Sequence, residues 1–212
     1  MTSDKTIGRL SLYRRLLNEL LAGGAKYVYS HHLANEAGVT AAQVRRDLMA
    51  VGYNGSPSHG YDVSELVESI RSFLDAPKGQ GVALVGVGNL GRAILAYFNG
   101  RRPHLSIVAA FDSDPHKVGR VVHGCYCHPI EELPRIVAEK HIGVAIVAVP
   151  ANEAQELAET LVRSGVRSLV NFVPAPLHVP PHVYVEDVDI TTSLEKAAYF
   201  ARGGAVREEV LP

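Results

Sequence analysis

The residues with the clearest chemical meaning are three glycines and an aspartate. Gly86-Val87-Gly88-Asn89-Leu90-Gly91 is a G-x-G-x-x-G that follows the apolar run Gly81-Val-Ala-Leu-Val85. After such a strand, Gly86 permits a tight turn, Gly88 lets a pyrophosphate approach the backbone, and Gly91 lets the next helix pack closely on the strand. The phosphates would rest on the helix N-terminus, where unpaired N–H groups favour anions. Asp112 ends the next strand, about 20 residues beyond the motif, where a carboxylate accepts hydrogen bonds from an adenosine ribose. An acid there also repels a 2′-phosphate, which favours NAD over NADP. With 19 glycines in the chain, chance matches are common. The weight therefore comes from the strand before, the helix after and Asp112 together; the alternative is a glycine turn with a surface aspartate.

Other residues extend this chemistry or add to it. Val147-Ala-Val149-Pro150 and Asn171-Phe172 end two later strands, where the nicotinamide half of a dinucleotide would lie; packing alone explains these positions about as well. Arg45 and Arg46 stand beside Gln43 on a short helix of the first part. Arginine can fork to guanine in a major groove and glutamine can bond adenine; the alternative is a solvated helix face. Lys26, Tyr27 and Tyr29 could touch a nucleic-acid backbone, as could His59, and Ser30 and Thr40 belong to the same expected DNA face. Cys125-Tyr-Cys127-His128, with His123 nearby, has no second ligand pair of the spacing zinc prefers. It reads as a loop with incidental thiols, and no metal is expected. No Ser-His-Asp or Cys-His nucleophile with a supporting motif is evident.

These residues need elements to hold them. The 212 residues are 47% hydrophobic and 20% charged, ordinary for a globular chain of one large or two small domains. The longest nearly uncharged stretch, Ile142 to Asn152, is about half of the ~20 residues that a spanning helix needs. The start, MTSDKTIGRL, lacks a signal-peptide pattern, and two cysteines are too few for a disulfide framework. The expected location is the cytoplasm, with no membrane partner. Net charge is −1 overall, so bulk charge suggests neither nucleic acid nor membrane, although residues 1–50 carry a local excess of seven Lys/Arg against four Asp/Glu.

Leu10, Tyr13, Leu16, Leu17, Leu20 and Leu21 recur at helical spacing, and Gly23-Gly24 stops that helix. Ser30 is placed to cap a short helix, His31 to Ala37, which Gly38 ends. Thr40 with Gln43 matches a capping box and opens a third helix, Ala41 to Ala50. Two short helices on a tight turn read as helix-turn-helix. Val51 to Tyr61 looks like a hairpin tip between short strands, a wing, and Asp62 begins a fourth helix to about Leu74. After the Pro/Gly-punctuated Ala76 to Gly81, strands at Gly81–Val85, Leu105–Phe111, Ile142–Val149, Ser168–Phe172 and Val183–Ile190 alternate with helices at Leu90–Phe98, Pro129–Lys140 and Ala151–Arg163. Alternation of this kind means a parallel sheet of βαβ units. A terminal helix is expected at Leu194–Ala201. The expected fold is α/β: a winged helix-turn-helix over 1–77, a Rossmann-like domain over 78–190, and a C-terminal helix and tail over 191–212.

A winged helix joined to a dinucleotide fold resembles the Rex family of redox-sensing transcriptional repressors. The most specific pieces are Arg9-Leu-Ser-Leu-Tyr-Arg-Arg-Leu-Leu17, Val39 to Leu48, Gly86 to Gly91, Phe111-Asp-Ser-Asp-Pro-His-Lys-Val-Gly119, Asn171-Phe-Val-Pro174 and Val188-Asp-Ile190. The resemblance implies a homodimer that binds a palindromic operator when NADH is scarce relative to NAD⁺ and leaves it when NADH binds. It also implies that the terminal helix is swapped between subunits. Carried over, Arg45 and Arg46 match the basic pair of the reading helix. Arg15 matches an arginine that pairs with the other subunit's aspartate, here Asp189, in the NADH form. Tyr97 matches a tyrosine that bonds that aspartate in the open form, and Ile190 sits near the partner's nicotinamide. Ser56-Pro57 stands where the family's wing usually has Lys-Arg. The competing reading, a small NAD-dependent dehydrogenase, leaves the first 75 residues without a role, and no catalysis is expected.

Overall fold

The computed structural model describes residues 2–56, 59–77, 79–98, 100 and 105–208, with side chains through Arg202. They divide into two compact units, Met1–Lys78 and Gly79–Pro212. The first contains α1 (Asp4–Ala22), β1 (Tyr27–Val28), α2 (Ser30–Ala37), α3 (Ala41–Ala50), β2 (Tyr61–Asp62) and α4 (Val63–Leu74). Its core is the apolar stripe of each helix: Leu10, Tyr13 and Leu17 of α1, Leu33 of α2, Val44 and Leu48 of α3, and Leu66 and Ile70 of α4. Spacings of three and four residues bring these side chains onto one face.

The ends of the helices follow local chemistry. Thr40 accepts a hydrogen bond from the Gln43 N–H at 3.1 Å and caps α3. The reciprocal half of the expected capping box is not made, because the Gln43 amide turns along the helix to Asp47. Ser30 is not a cap either: α2 begins at Ser30 itself, Tyr29 holds the N-cap position without a side-chain bond, and the Ser30 hydroxyl instead accepts from Arg45 at 3.1 Å. Gly38, at φ 65°, ends α2 in the left-handed region as expected.

The wing differs from the expected hairpin. Tyr61–Asp62 pairs with Tyr27–Val28, which precede the helix-turn-helix, and among the described residues a bridge from Ser56 to Gly60 closes the tip. Pro57 of the unusual Ser56-Pro57 pair lies outside the described residues.

The second unit holds β3 (Gln80–Val85), α5 (Asn89–Phe98), β4 (Leu105–Asp112), β5 (Val121–Val122), β6 (Cys125–Pro129), α6 (Leu133–Glu139), β7 (Val144–Val147), α7 (Ala151–Arg163), β8 (Ser168–Asn171), β9 (Tyr184–Asp187) and α8 (Ile190–Glu208). The sheet order is β5-β6-β4-β3-β7-β8-β9. All neighbours run parallel except β5 against β6. The chain steps outward from β3 to β4 and then returns to β7 on the other side of β3, so the order reverses at β3, as in doubly wound nucleotide-binding sheets. Both faces are covered. Ala83, Val85, Phe111 and Val147 pack with Ile136 of α6 and Leu157 and Leu161 of α7, while Val82, Leu84, Ala110 and Ile146 pack with Ile94 and Leu95 of α5. This two-sided burial is why β3 is a continuous apolar run.

Three expectations are corrected. Cys125 to Cys127 is not a loop but part of β6, with Cys125 and Cys127 buried on the α5 side of the sheet. Pro129 does not open a helix: Ile130–Glu132 is a 3-10 turn, and α6 begins at Leu133. The last strand stops at Asp187, and α8 starts at Ile190 rather than Leu194.

Candidate nucleotide cleft and nucleic-acid interface

β3 ends at Val85, and the chain turns at Gly86, φ 96°, before entering α5 at Asn89. A Cβ on Gly86 would meet the Ala148 carbonyl oxygen at 2.2 Å, and one on Gly91 would meet the Gly86 carbonyl oxygen at 2.0 Å. A Cβ on Gly88 would meet nothing within 4 Å. The first and third glycines are therefore demanded by packing inside the fold, whereas the second faces open room, as a pyrophosphate against the backbone requires. A cleft of about 300 Å³ lies there, bounded by Gly86, Gly88, Asp112, Asp114, Lys117, Val149, Pro150 and Glu153. It lies outside the carboxyl ends of β3, β4 and β7, at the reversal of strand order.

Asp112 stands on the wall of this cleft, 7% exposed, but its carboxylate is already engaged. The Val87 N–H donates to Oδ2 at 2.7 Å and the Asp114 N–H to Oδ1 at 2.9 Å. The Lys117 ammonium donates to both oxygens, at 3.1 and 3.3 Å. An ionised carboxylate has about four acceptor positions, so Asp112 braces the glycine loop as it stands. Burial pushes its pKa up, but the N–H groups of Asp114 and Val87 and the Lys117 ammonium prevail and hold it below the ordinary carboxylate range. Asp114, a cleft residue that the sequence reading passed over, is more exposed and accepts the His116 N–H at 2.9 Å. The signal for it was present in the Asp112-Ser-Asp114 spacing.

Asn171 does not face the cleft. It is 1% exposed, donates to the Ala175 carbonyl at 2.9 Å and to Asp187 at 2.7 Å, and accepts the Val173 N–H at 3.0 Å. Its amide locks the loop after β8 to β9, which corrects the expected cofactor contact. Val149 and Pro150 do line the cleft.

On the first unit, α3 presents Arg45 and Arg46 to solvent. Beneath them Asp47 is 2% exposed. It accepts two bonds from the Arg9 guanidinium, at 2.6 and 2.8 Å, one from the Tyr13 hydroxyl at 3.0 Å and one from Gln43 Nε2 at 2.8 Å. Burial raises the Asp47 pKa, yet the bonds from Arg9, Gln43 and Tyr13 outweigh it and hold the group below the usual carboxylate range. Burial and the Asp47 bond push the Tyr13 hydroxyl up to about 12. Gln43 Oε1 accepts from Arg46 at 2.9 Å, so the adenine-reading amide expected at Gln43 is spoken for at both ends. Near the wing, the Lys26 ammonium lies 5.4 Å from the Tyr27 ring centre, and the His59 ring lies 5.5 Å from the same ring. Lys26, Tyr27 and His59 thus form one basic and aromatic patch.

Residues 78–175 match a family model described as a CoA binding domain, and residues 2–48 match one described as a putative DNA-binding protein N-terminus. The redox-sensing transcriptional repressor Rex of Roseiflexus sp. is 41% identical over 197 residues, covering 93% of this chain and 90% of that protein. The Rex of Syntrophobacter fumaroxidans is 39% identical over 201 residues, covering 94% and 96%. The crystal structure of RSP in complex with β-NAD⁺ and operator DNA superposes with a TM-score of 0.89 at 31% identity, over 99% of this chain and 97% of that one. The chain belongs to the Rex family.

In this Rex chain, Arg15 is exposed on α1, and Tyr97, 59% exposed on α5, meets Phe98 edge to face. Asp189 stands just before α8, with Oδ1 accepting the Thr192 N–H at 2.9 Å and Oδ2 its hydroxyl at 2.5 Å. Those bonds from Thr192 hold the Asp189 pKa low. It therefore serves α8 as a helix cap, a role the sequence reading did not assign. Ile190, Leu194, Tyr199 and Phe200 of α8 are each more than 60% exposed. Among the described residues, no group of three or more His, Cys, Asp or Glu side chains is placed to hold a metal, and no helix is long and apolar enough to cross a membrane.

Proposed function

We propose that this protein is a homodimeric repressor that reads the NADH/NAD⁺ ratio, holding a palindromic operator when NADH is scarce and leaving it when NADH binds. The observation that carries this reading is the near full-length likeness to RSP, which has been solved with β-NAD⁺ and operator DNA and also with β-NADH. It is joined here to a glycine turn with open room over Gly88 and a helix that exposes two arginines.

Gly86 to Gly91 with the α5 N-terminus would hold the pyrophosphate. Asp114, and Asp112 on exchanging Lys117, would take the adenosine ribose; Val149 and Pro150 would flank the nicotinamide end. When bound, the dinucleotide supplies a ring that is cationic when oxidised and neutral when reduced. Arg45 and Arg46 enter the major groove, while Lys26, Ser30, Thr40 and His59 lie towards the phosphates. A dimer must set its two reading helices about one helical turn apart, ~34–36 Å, to fit a palindrome. A change in the subunit angle therefore releases DNA.

The apolar side chains that α8 leaves exposed suit burial by a second copy, and Asp189, at the head of that helix, would exchange Tyr97 for Arg15 of the other subunit as NADH binds, as the family resemblance implies. The Asp189 carboxylate accepts two bonds from Thr192 and one from the Thr191 backbone; of about four acceptor positions one remains for a further donor, so capping and switching are compatible. No turnover is expected, in keeping with relatives named as regulators. Operator binding followed by anisotropy, with NADH and with NAD⁺ present, tests the proposal. NADH should weaken operator binding, and operator should weaken NADH binding by the same factor. Equal operator affinity under both conditions refutes it.

A further inference from the structure

The buried cluster beneath α3 ends on Gln43, a residue of the proposed DNA-facing surface. Arg9 reaches Asp47 from α1 across 38 residues of chain, and Tyr13 reaches it across 34. An ionised carboxylate can only accept. Gln43 therefore has one permitted orientation towards Asp47, with its NH₂ inward at 2.8 Å. That leaves its carbonyl oxygen outward, where it meets the Arg46 guanidinium at 2.9 Å. A glutamine facing a neutral or donating neighbour could turn over and would then present NH₂ to a cation.

We propose that Gln43 is a positioning residue rather than a base reader. In this chain Arg9 and Tyr13 fix Asp47, Asp47 fixes the polarity of the Gln43 amide, and the amide oxygen fixes Arg46 for the operator. The inference rests on α3 being the DNA-reading helix and adds how one of its arginines is held. A long side chain immobilised before binding loses less conformational freedom on contact. Arg45 has a separate anchor, the Ser30 hydroxyl at 3.1 Å, so the relay concerns Arg46 alone. Every participant lies within unit 1, so the cofactor cleft is untouched by altering it.

The test is a double-mutant cycle on the full-length dimer with operator and scrambled duplexes. Gln43→Met keeps the length of the side chain and removes both of its bonds. It should lower operator affinity about tenfold, the scale of one specific arginine contact, with affinity for scrambled DNA and NADH binding near wild type and unit 1 melting somewhat earlier, since Asp47 loses one of its donors. Arg46→Ala should give a similar loss, and the double variant should be no weaker than Arg46→Ala alone, within about twofold. A double variant whose loss is the product of the two single losses overturns the relay and leaves Gln43 as an independent reader. If Arg46→Ala alone leaves operator binding and its salt dependence intact, α3 is not the reader, and the larger proposal falls with the relay. The part played by Asp47 is visible without any variant: a Gln43 side-chain amide proton should exchange slowly with solvent in wild type. Exchange of both protons at the free-amide rate overturns it.

Discussion

Asp47 and Asp112 are two nearly buried carboxylates, one under each proposed site, and they are satisfied in opposite ways. Asp47 is held by side chains from α1 and α3, so it fixes the place of one helix on another and of one side chain above it. Asp112 is held mainly by backbone N–H groups, those of Val87 and Asp114, so it fixes the shape of two loops. A site that reads base edges needs a side chain held at a set angle; a site that cradles phosphate needs a backbone held in a set curve. The same functional group serves both, and the donor type follows the task.

The contrast can be broken at its strongest point first. Asp47→Ala leaves the Arg9 guanidinium without its partner in a largely enclosed place and should cost unit 1 about 3–5 kcal/mol, measured by denaturant unfolding, with cofactor binding kept. A loss under 1 kcal/mol would mean that the cluster does not organise the helices.

The glycine loop sharpens the contrast next. Gly86→Ala combines backbone strain of about 1–3 kcal/mol with overpacking of about 1–3 kcal/mol against the Ala148 carbonyl, so unit 2 should melt early. Gly88→Ala has open room and should leave the fold intact while lowering NADH affinity. Similar melting of the two variants would contradict the assignment of packing to one glycine and ligand to the other.

Asp112→Asn offers one carbonyl oxygen where two N–H groups wait, and should cost about 1.5–3 kcal/mol, the scale of a hydrogen bond to a charged group. Calorimetry should find the loss in both unit 2 stability and NADH binding. Asp47 and Asp112 share a pH signature. Both carboxyls have folded pKa values below the ordinary one. Their contribution is complete above the unfolded pKa of about 3.9 and is lost as pH falls from there through the folded values. Acid unfolding below about pH 4 should weaken in Asp47→Asn and Asp112→Asn relative to wild type.

The smallest effect is expected at Lys117, a partly exposed cation. Lys117→Met should change unit 2 stability by no more than about 1 kcal/mol and should leave or raise NADH affinity, since it frees two positions on Asp112 for ribose hydroxyls. A marked fall in affinity would give Lys117 a direct hold on the cofactor.

Much of this architecture was legible in the chain. Gly86 and Gly91 stand where packing admits only glycine, and α7 runs from Ala151 to Arg163 as its periodicity and Gly165 indicate. What escaped was information carried by partners distant in sequence. Arg9, Tyr13, Gln43 and Asp47 all lie in motifs that resemble the family, yet nothing local says that they meet in one cluster. Asn171 looked like a strand-end contact because its bonds to Ala175 and Asp187 depend on how β8 and β9 pair. The β5–β6 hairpin was readable and was missed. His123 and Gly124, at φ 47° and 81°, form the two-residue loop with both residues left-handed that joins antiparallel strands. The His123-Gly124 pair between Val121-Val122 and Cys125-Tyr126 is that signal in the sequence.

That hairpin has a consequence for oxidative chemistry. It carries Cys125 and Cys127 into the α5 side of the sheet, and burial pushes the Cys125 thiol up to about 11 and raises that of Cys127 as well. The nucleophile in peroxide or disulfide attack is the thiolate, and at neutral pH a thiol titrating near 11 is ionised in only about one molecule in 10⁴. Both sulfurs are also shielded from solvent-borne oxidants. Thiols that are buried and held protonated in this way are poor nucleophiles toward peroxide or disulfide, so the pair serves the sheet as packing atoms and not as a thiol switch.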